Sequence, residues 1–170
     1  GDWVNAGETE ADWTSQFFNR NYSDLLDFQA DVPINGCLGN HDWDSGSSPE
    51  TLLDKYFPYP FTSNYYWSFD YGPVHIAVLD QYDASYSTGS AQYNWLESDL
   101  ANTTKEWKII VLHEPGYSAG GGNINNTDVQ TYIQPLCEAY EVDIVLAGHN
   151  HYYARCGVNG VKHITTGGGG

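Results

Sequence analysis

Three histidine-bearing turns, each directly behind an apolar run, constrain this chain more than any other feature. Residues 32–38 lead into Gly39-Asn40-His41-Asp42. Residues 107–112, Trp-Lys-Ile-Ile-Val-Leu, lead into His113. Residues 142–147 lead into Gly148-His149-Asn150-His151. Runs of this length, rich in Val and Ile and bounded by Gly or Pro, predict buried strands. In an open α/β sheet, the loops at the carboxyl ends of the strands share one crevice. Asn40, His41, His113, His149 and His151 are therefore expected to converge although they are far apart in sequence. With Asp2 added, the set mixes carboxylate, amide and imidazole donors, which suits two divalent or trivalent cations.

A chain of 170 residues is long enough for one domain with a buried core, and it is read as a single domain over residues 1–170. Its 22 Asp and Glu against 6 Lys and Arg leave a formal charge of -16. That balance argues against binding to a nucleic-acid backbone or an anionic membrane surface, since both need basic patches. It also repels a phosphate ester, so bound cations would have to supply the positive potential. No apolar stretch is long enough to span a membrane. Few lysines, no Met, 14 Tyr and 6 Trp fit a secreted or periplasmic protein, or one from a salty habitat. Cys37, Cys137 and Cys156 lack Cys-x-x-Cys spacing, so no thiolate metal site is expected. Cys137 and Cys156 are free to pair in an oxidising compartment. Three glycosylation sequons begin at Asn21, Asn102 and Asn125.

Periodicity organises the rest. Residues 11–30 predict a helix, with Trp13, Phe17, Tyr22, Leu25, Leu26 and Phe28 recurring at helical spacing. A turn at 45–49 precedes a short helix from Pro49 to Tyr56. Strands at 65–69 and 74–79 form a hairpin through Gly72-Pro73. Residues 90–102 predict a helix with Tyr93, Leu96 and Leu100 on one face. Residues 117–126 are glycine-rich and read as a mobile loop over the site. Residues 128–140 predict a helix kinked by Pro135. Strands at 151–155 and 161–165 close the sheet. His75 and His163 lie inside strands without motif partners and read as packing histidines. Glu114 reads as surface-facing.

The motif series Gly-Asp at 1–2, Gly-Asn-His-Asp at 39–42, a lone His113 after a strand and Gly-His-Asn-His at 148–151 closely resembles the calcineurin-like metallophosphoesterases, which include the purple acid phosphatases. Residues 72–80 resemble that family's central strand, and Thr165-Thr166-Gly167-Gly168-Gly169 its closing glycine turn. The resemblance implies an α/β fold, a mixed-sheet β-sandwich flanked by helices in α/β/β/α layers. It also implies a first motif, a strand carrying an Asp, ahead of Gly1. The chain is thus expected to be an excerpt truncated at both ends, lacking the first motif.

The resemblance assigns roles. Asp2 bridges two metal ions, such as Fe, Zn or Mn, because a carboxylate can span cations about 3.5–4 Å apart. Asn40, His113 and His149 complete the shell of one ion, and His151 reaches toward the other. His41 faces substrate and gives a hydrogen bond or proton to the leaving oxygen. Asp42 orients His41. Where purple acid phosphatases carry an iron-binding Tyr three residues after the second-motif Asp, this chain has Asn5, so no tyrosinate–iron colour is expected.

The implied activity is metal-dependent hydrolysis of a small phosphate ester, a phosphomonoester first and a phosphodiester or nucleotide second. Two other readings stand beside it. One is a catalytically inactive metal-binding fragment. The other is a carbohydrate-binding module, raised by the aromatic cluster Tyr65-Tyr66-Trp67, which is more simply strand core. The oligomeric state is left open.

Overall fold

Six strands hydrogen-bond into one mixed sheet in the order β1-β2-β3-β4-β6-β5. They are β1 (Trp67–Tyr71), β2 (Val74–Val78), β3 (Trp107–Val111), β4 (Ile144–Ala147), β5 (Tyr153–Val158) and β6 (Val161–Thr166). The computed structural model describes residues 1–43, 51–120 and 123–168. β1 and β2 form the expected hairpin, with Tyr71 opposite Val74 and Gly72 at φ 55, a left-handed value that favours glycine. β2, β3 and β4 run parallel, and β6 continues the parallel set while β5 closes the other edge antiparallel. The carboxyl ends of β2, β3 and β4 therefore line up, with Val78 beside Val111 and Val111 beside Leu146. Gln81, His113 and His149 emerge from that edge.

Helices cover one face of the sheet. The first long helix, α1 (Ser23–Asp31), lies outside this layer; α2 (Ala91–Asn102) and α3 (Gln134–Ala139) form it. The Ser90 hydroxyl caps α2 by accepting the Tyr93 N–H at 3.2 Å. Leu96 and Leu100, one turn apart, then bury against Ala77, Ile110 and Val145 of the sheet. A π-helical turn at Val129–Ile133 runs directly into α3, and Pro135 sits just past the junction between the two. The opposite face packs Trp67 and Val78 against Cys37, Tyr59 and Phe61. A third cluster gathers Trp13, Val4, Leu38 and Leu53 with the rings of Trp3, Phe17 and Phe57. It holds the segment before β1 together by aromatic packing rather than by a sheet.

The α/β class with a mixed sheet and flanking helices matches the expectation. All the named strands lie in a single sheet, and no second sheet forms among the described residues. Residues 33–39 are the main departure: the run belongs to no strand. Pro33 lacks an N–H, and side chains take the carbonyls instead. The Tyr59 hydroxyl donates to Ile34 O at 2.8 Å, and Trp3 Nε1 donates to Cys37 O at 3.1 Å. The expected helix over 11–30 is divided. A turn at Glu10–Asp12 and a π-helical turn at Trp13–Phe17 end at Phe18, and α1 begins at Ser23. The polar residues between favour local bonds, with Asn19 Oδ1 accepting the Asn21 N–H at 3.0 Å. Only Leu53–Tyr56 of the expected helix before β1 is helical among the described residues, and the turn at 45–49 lies outside them. Cys37, Cys137 and Cys156 are all free thiols: Cys137 is buried in α3 and Cys156 exposed on β5. No helix among the described residues is long and apolar enough to cross a membrane.

Candidate metal centre

Asn40, His113 and His149, which sequence spreads over three turns, meet at one point beside Asp2. Asn40 Oδ1 lies 3.1 Å from His113 Nε2 and 3.0 Å from His149 Nδ1. The two ring nitrogens are 3.2 Å apart, and Asp2 Oδ2 is 3.1 Å from His113 Nε2. Donor atoms of Asp2, His113 and His149 all lie within 4.8 Å of one another. His113 is 1% exposed and Asp2 and His149 are half-buried, so the cluster has a floor and one open side.

The donor set fits a cation better than a hydrogen-bonded cluster. A neutral imidazole carries one proton, so at most one ring nitrogen of each His can donate to the shared Asn40 oxygen. If both facing nitrogens carry protons for Asn40, the protons oppose across 3.2 Å; if only one does, the rings can share a hydrogen bond but the bare nitrogen turns its lone pair on the Asn40 oxygen. His113 Nδ1, buried and without any partner, is left unsatisfied as well. Ligands held about 2.1 Å from one ion sit roughly 3.0–3.4 Å apart, which is the spacing seen here. Burial pushes His113 below the ordinary histidine range, with the Asp2 hydrogen bond opposing it, so the ring is neutral and ligand-ready near pH 7. Burial would raise Asp2, but its hydrogen bond and charge interaction with His113 and the His41 N–H bring it down to about 2.

Two of these ligands sit on strained backbone. Asp2 has φ 57 and His149 has φ 60, left-handed values that non-glycine residues adopt only when their surroundings enforce them. Asp42 enforces the first. Its carboxylate is fully buried and accepts the N–H groups of Asp2 at 2.7 Å, Trp3 at 2.8 Å and Gly39 at 3.0 Å. A side chain on Gly39 would put Cβ 2.3 Å from Asp2 N, so the approach of the two loops requires glycine there. Burial pushes the Asp42 carboxyl up to about 6, against the pull of the Gly39 and Trp3 N–H donors. Asn150 and its neighbours enforce the second. Gly148 N–H donates to His113 O at 2.9 Å, and buried Asn150 Nδ2 donates to the Tyr152 hydroxyl at 3.0 Å. Cβ on Gly167 would fall 2.1 Å from Asn150 O, so the glycine turn after β6 is what lets this loop seat.

The remaining expected site residues divide. His41 is exposed; its N–H donates to Asp2 Oδ1 at 3.0 Å, and its Nδ1 lies 3.2 Å from Asn5 O. The expected Asp42–His41 contact is absent, because both carboxylate oxygens of Asp42 are taken by backbone N–H groups. His151 is exposed and stands outside the converged donors, although it lines the same cavity of about 450 Å³ as Asp2, His113 and His149. Glu114 does not face solvent alone: its Oε1 accepts from the Tyr82 hydroxyl and its Oε2 from Asn126 Nδ2, each at 2.8 Å. The described part of the 117–126 loop is tied to the same edge, with the Ala119 N–H donating to the Tyr152 hydroxyl at 3.0 Å. Gln81, which bonds to the backbone of His113, has no sequence signal that would have marked it.

Parallel strands ending in a shared crevice, with Asp, Asn and two His converging there, define an α/β protein with a group of side chains able to hold a metal ion at the carboxyl edge of its sheet. The sequence profile of the calcineurin-like phosphoesterases matches residues 1–153, and the chain belongs to that family. Among curated relatives, purple acid phosphatase 18 of Arabidopsis thaliana is 38% identical over 120 residues, covering 64% of this chain and 27% of the relative. Probable purple acid phosphatase 20 of the same plant is 34% identical over 132 residues, 69% of this chain and 31% of the relative. Among solved structures, a purple acid phosphatase from yellow lupin (Lupinus luteus) seeds superposes with TM-score 0.58 at 28% identity, covering 62% of this chain and 23% of that one. The chain thus spans less than a third of the length of these relatives.

Proposed function

We propose that this chain is the metal-holding part of a phosphate-ester hydrolase that acts on small phosphomonoesters. The observation that carries the reading is the convergence of Asp2, Asn40, His113 and His149 within one cluster. Family membership supports it. Divalent or trivalent cations bound there would polarise phosphoryl oxygens and acidify water. Asp2, Asn40, His113 and His149 hold one ion; His151, at the rim of the same cavity, reaches toward a second. In this reading His41, whose N–H donates to Asp2 Oδ1, serves the leaving group. With Nδ1–H given to Asn5 O, Nε2 is the nitrogen left to face the departing oxygen, and it gives up a proton only from the doubly protonated imidazolium. Asp42 acts on the site through the backbone it clamps. The formal charge of -16 disfavours long polyanions, so a small monoester ranks ahead of a diester.

One observation favours a second reading, a metal-binding segment without activity of its own. Ligands for one ion converge, whereas His151 stands apart. The test measures bound Zn, Fe and Mn per chain and hydrolysis of p-nitrophenyl phosphate and bis(p-nitrophenyl) phosphate, with and without chelator. Monoester hydrolysis lost in chelator and in His149→Ala supports the hydrolase. One ion per chain with no turnover of either ester supports the inactive segment. No ion retained in any condition overturns both.

A further inference from the structure

His113 is the most buried ligand of the cluster, and its peptide lies just past the end of β3. Within the sheet its N–H would be met by a carbonyl of the next strand. The last bond between the two strands lies one step earlier and runs the other way, the Leu79 N–H donating to Val111 O at 2.9 Å, and the chain then turns away at Asp80. A side chain takes over from there. The Gln81 Oε1 accepts the N–H groups of both His113 and Glu114, each at 2.7 Å, and its Nε2 donates to Glu114 O at 3.3 Å. The peptide is held on its other flank by the Gly148 N–H on His113 O at 2.9 Å.

Gln81 is itself mounted on a rigid base. Asp80 is fully buried, and its Oδ1 accepts the N–H groups of Tyr82 at 2.9 Å and Asp83 at 3.0 Å. Buried Gln92 of α2 brackets the Asp80 peptide, accepting from Asp80 N and donating to Asp80 O, both at 2.8 Å. The segment 80–83 is therefore fixed on both sides of Gln81, and the carboxamide has one place to reach. Two short bonds to adjacent N–H groups set the orientation of the peptide that presents the His113 ring.

We propose that Gln81 is a positioning residue of the metal centre: its carboxamide oxygen extends the β2 ladder by one side chain and sets how His113 offers Nε2 to the ion. This rests on the metal-binding reading above. Groups that orient a ligand in this way typically contribute about 10–100-fold to metal affinity. The variants are Gln81→Met, close in shape but without the carboxamide acceptor, and Gln81→Glu, which keeps two oxygens able to take both N–H groups.

Two quantities are read on the full chain: Zn2+ affinity by competition with a chromophoric chelator, and amide hydrogen exchange at His113 and Glu114 without metal. Gln81→Met is expected to weaken Zn2+ binding about 10–100-fold and to speed exchange at both amides, with Gln81→Glu recovering most of each. Affinity compares folded states, so a merely structural loss of stability would leave it unmoved. Wild-type affinity in Gln81→Met, with His149→Ala losing the ion, overturns the positioning role and leaves the metal site standing. Failure of the wild type to take up Zn2+ overturns the metal reading and this role with it. In that case, exchange that still depends on Gln81 would mark the bond as structural only.

Discussion

Asp42 accepts the backbone N–H of Asp2 at 2.7 Å, joining two residues 40 positions apart so that one carboxylate sets the conformation of another. The same oxygen, Oδ2, takes the Gly39 N–H, while Oδ1 takes those of Trp3 and Val4. Removing the carboxylate strands several buried donors, each costing about 1–3 kcal/mol. Asp42→Ala is expected to destabilise the chain by about 3–5 kcal/mol, read as the shift of a urea midpoint. Asp42→Asn should cost at least as much. Both oxygens face N–H groups, so the new NH2 must point at donors. Stability of the Asn variant close to wild type would disprove the clamp.

His75 supplies the pH dependence. Its Nε2 is 2.8 Å from Asp99 Oδ2 of α2 and its Nδ1 2.9 Å from Asp70 Oδ1 of β1, with Lys105 Nζ 3.5 Å from the other Asp70 oxygen. The hydrogen bond to Asp99, against burial and with help from Asp70, holds the imidazolium above the usual histidine range. A raised folded pKa means that this stabilisation is fully present below the unfolded value of about 6.5 and is lost as pH rises through the folded value. Asp70, held low chiefly by its hydrogen bond to His75, works in the opposite sense and weakens only as pH falls into the acid range. The wild type should therefore lose stability relative to His75→Gln as pH rises above about 6.5. Parallel urea midpoints for the two chains from pH 6 to pH 9 would refute the clamp.

Gln92 shows why a buried amide is not a packing accident. It is 1% exposed on the inner face of α2, and its carboxamide pairs with both backbone groups of Asp80 and with Ala84 O at 3.2 Å. Gln92→Leu keeps volume and helix propensity but leaves a buried N–H and carbonyls unpaired. The expected cost is about 2–4 kcal/mol, with no change in the urea m-value. A cost below about 0.5 kcal/mol would place those groups in contact with water.

The sheet was legible because each central strand buries one face and partly covers the other, so it reads as an apolar run; residues 107–112 and 142–147 became β3 and β4 within a residue or two. The convergence was legible because parallel strands put their carboxyl ends together, and Asn40, His113 and His149 each follow an apolar run. Residues 32–38 misled for the same reason. Apolar content reports burial and not a hydrogen-bonding neighbour, and here aromatic side chains take the carbonyls. The contacts of Asp42, Gln81 and Glu114 were out of reach because their partners are distant backbone or side-chain groups. Nothing in the local sequence of a buried acceptor names the N–H it will meet.

His149 and His151 stand two residues apart, and the structure separates them. His149 Nδ1 is inside the cluster, 3.0 Å from Asn40 Oδ1, while the His151 side chain is exposed and outside it. On an ideal extended strand the two would point the same way, which is how the sequence reads. The left-handed φ of 60 at His149 breaks that alternation. His149→Ala removes a converged donor, and since even orienting groups are worth about 10–100-fold, the ligand itself should cost at least ~100-fold in Zn2+ affinity. His151→Ala should leave the first ion bound within ~3-fold of wild type, because none of the converged donors is touched. Zn2+ at 100 times the wild-type Kd should stabilise the His151→Ala chain as it does the wild type, by about 2.7 kcal/mol, and His149→Ala by no more than about 0.4 kcal/mol. Equal loss of the first ion in both variants would mean that the loop reorganises around the metal and that the two histidines act together.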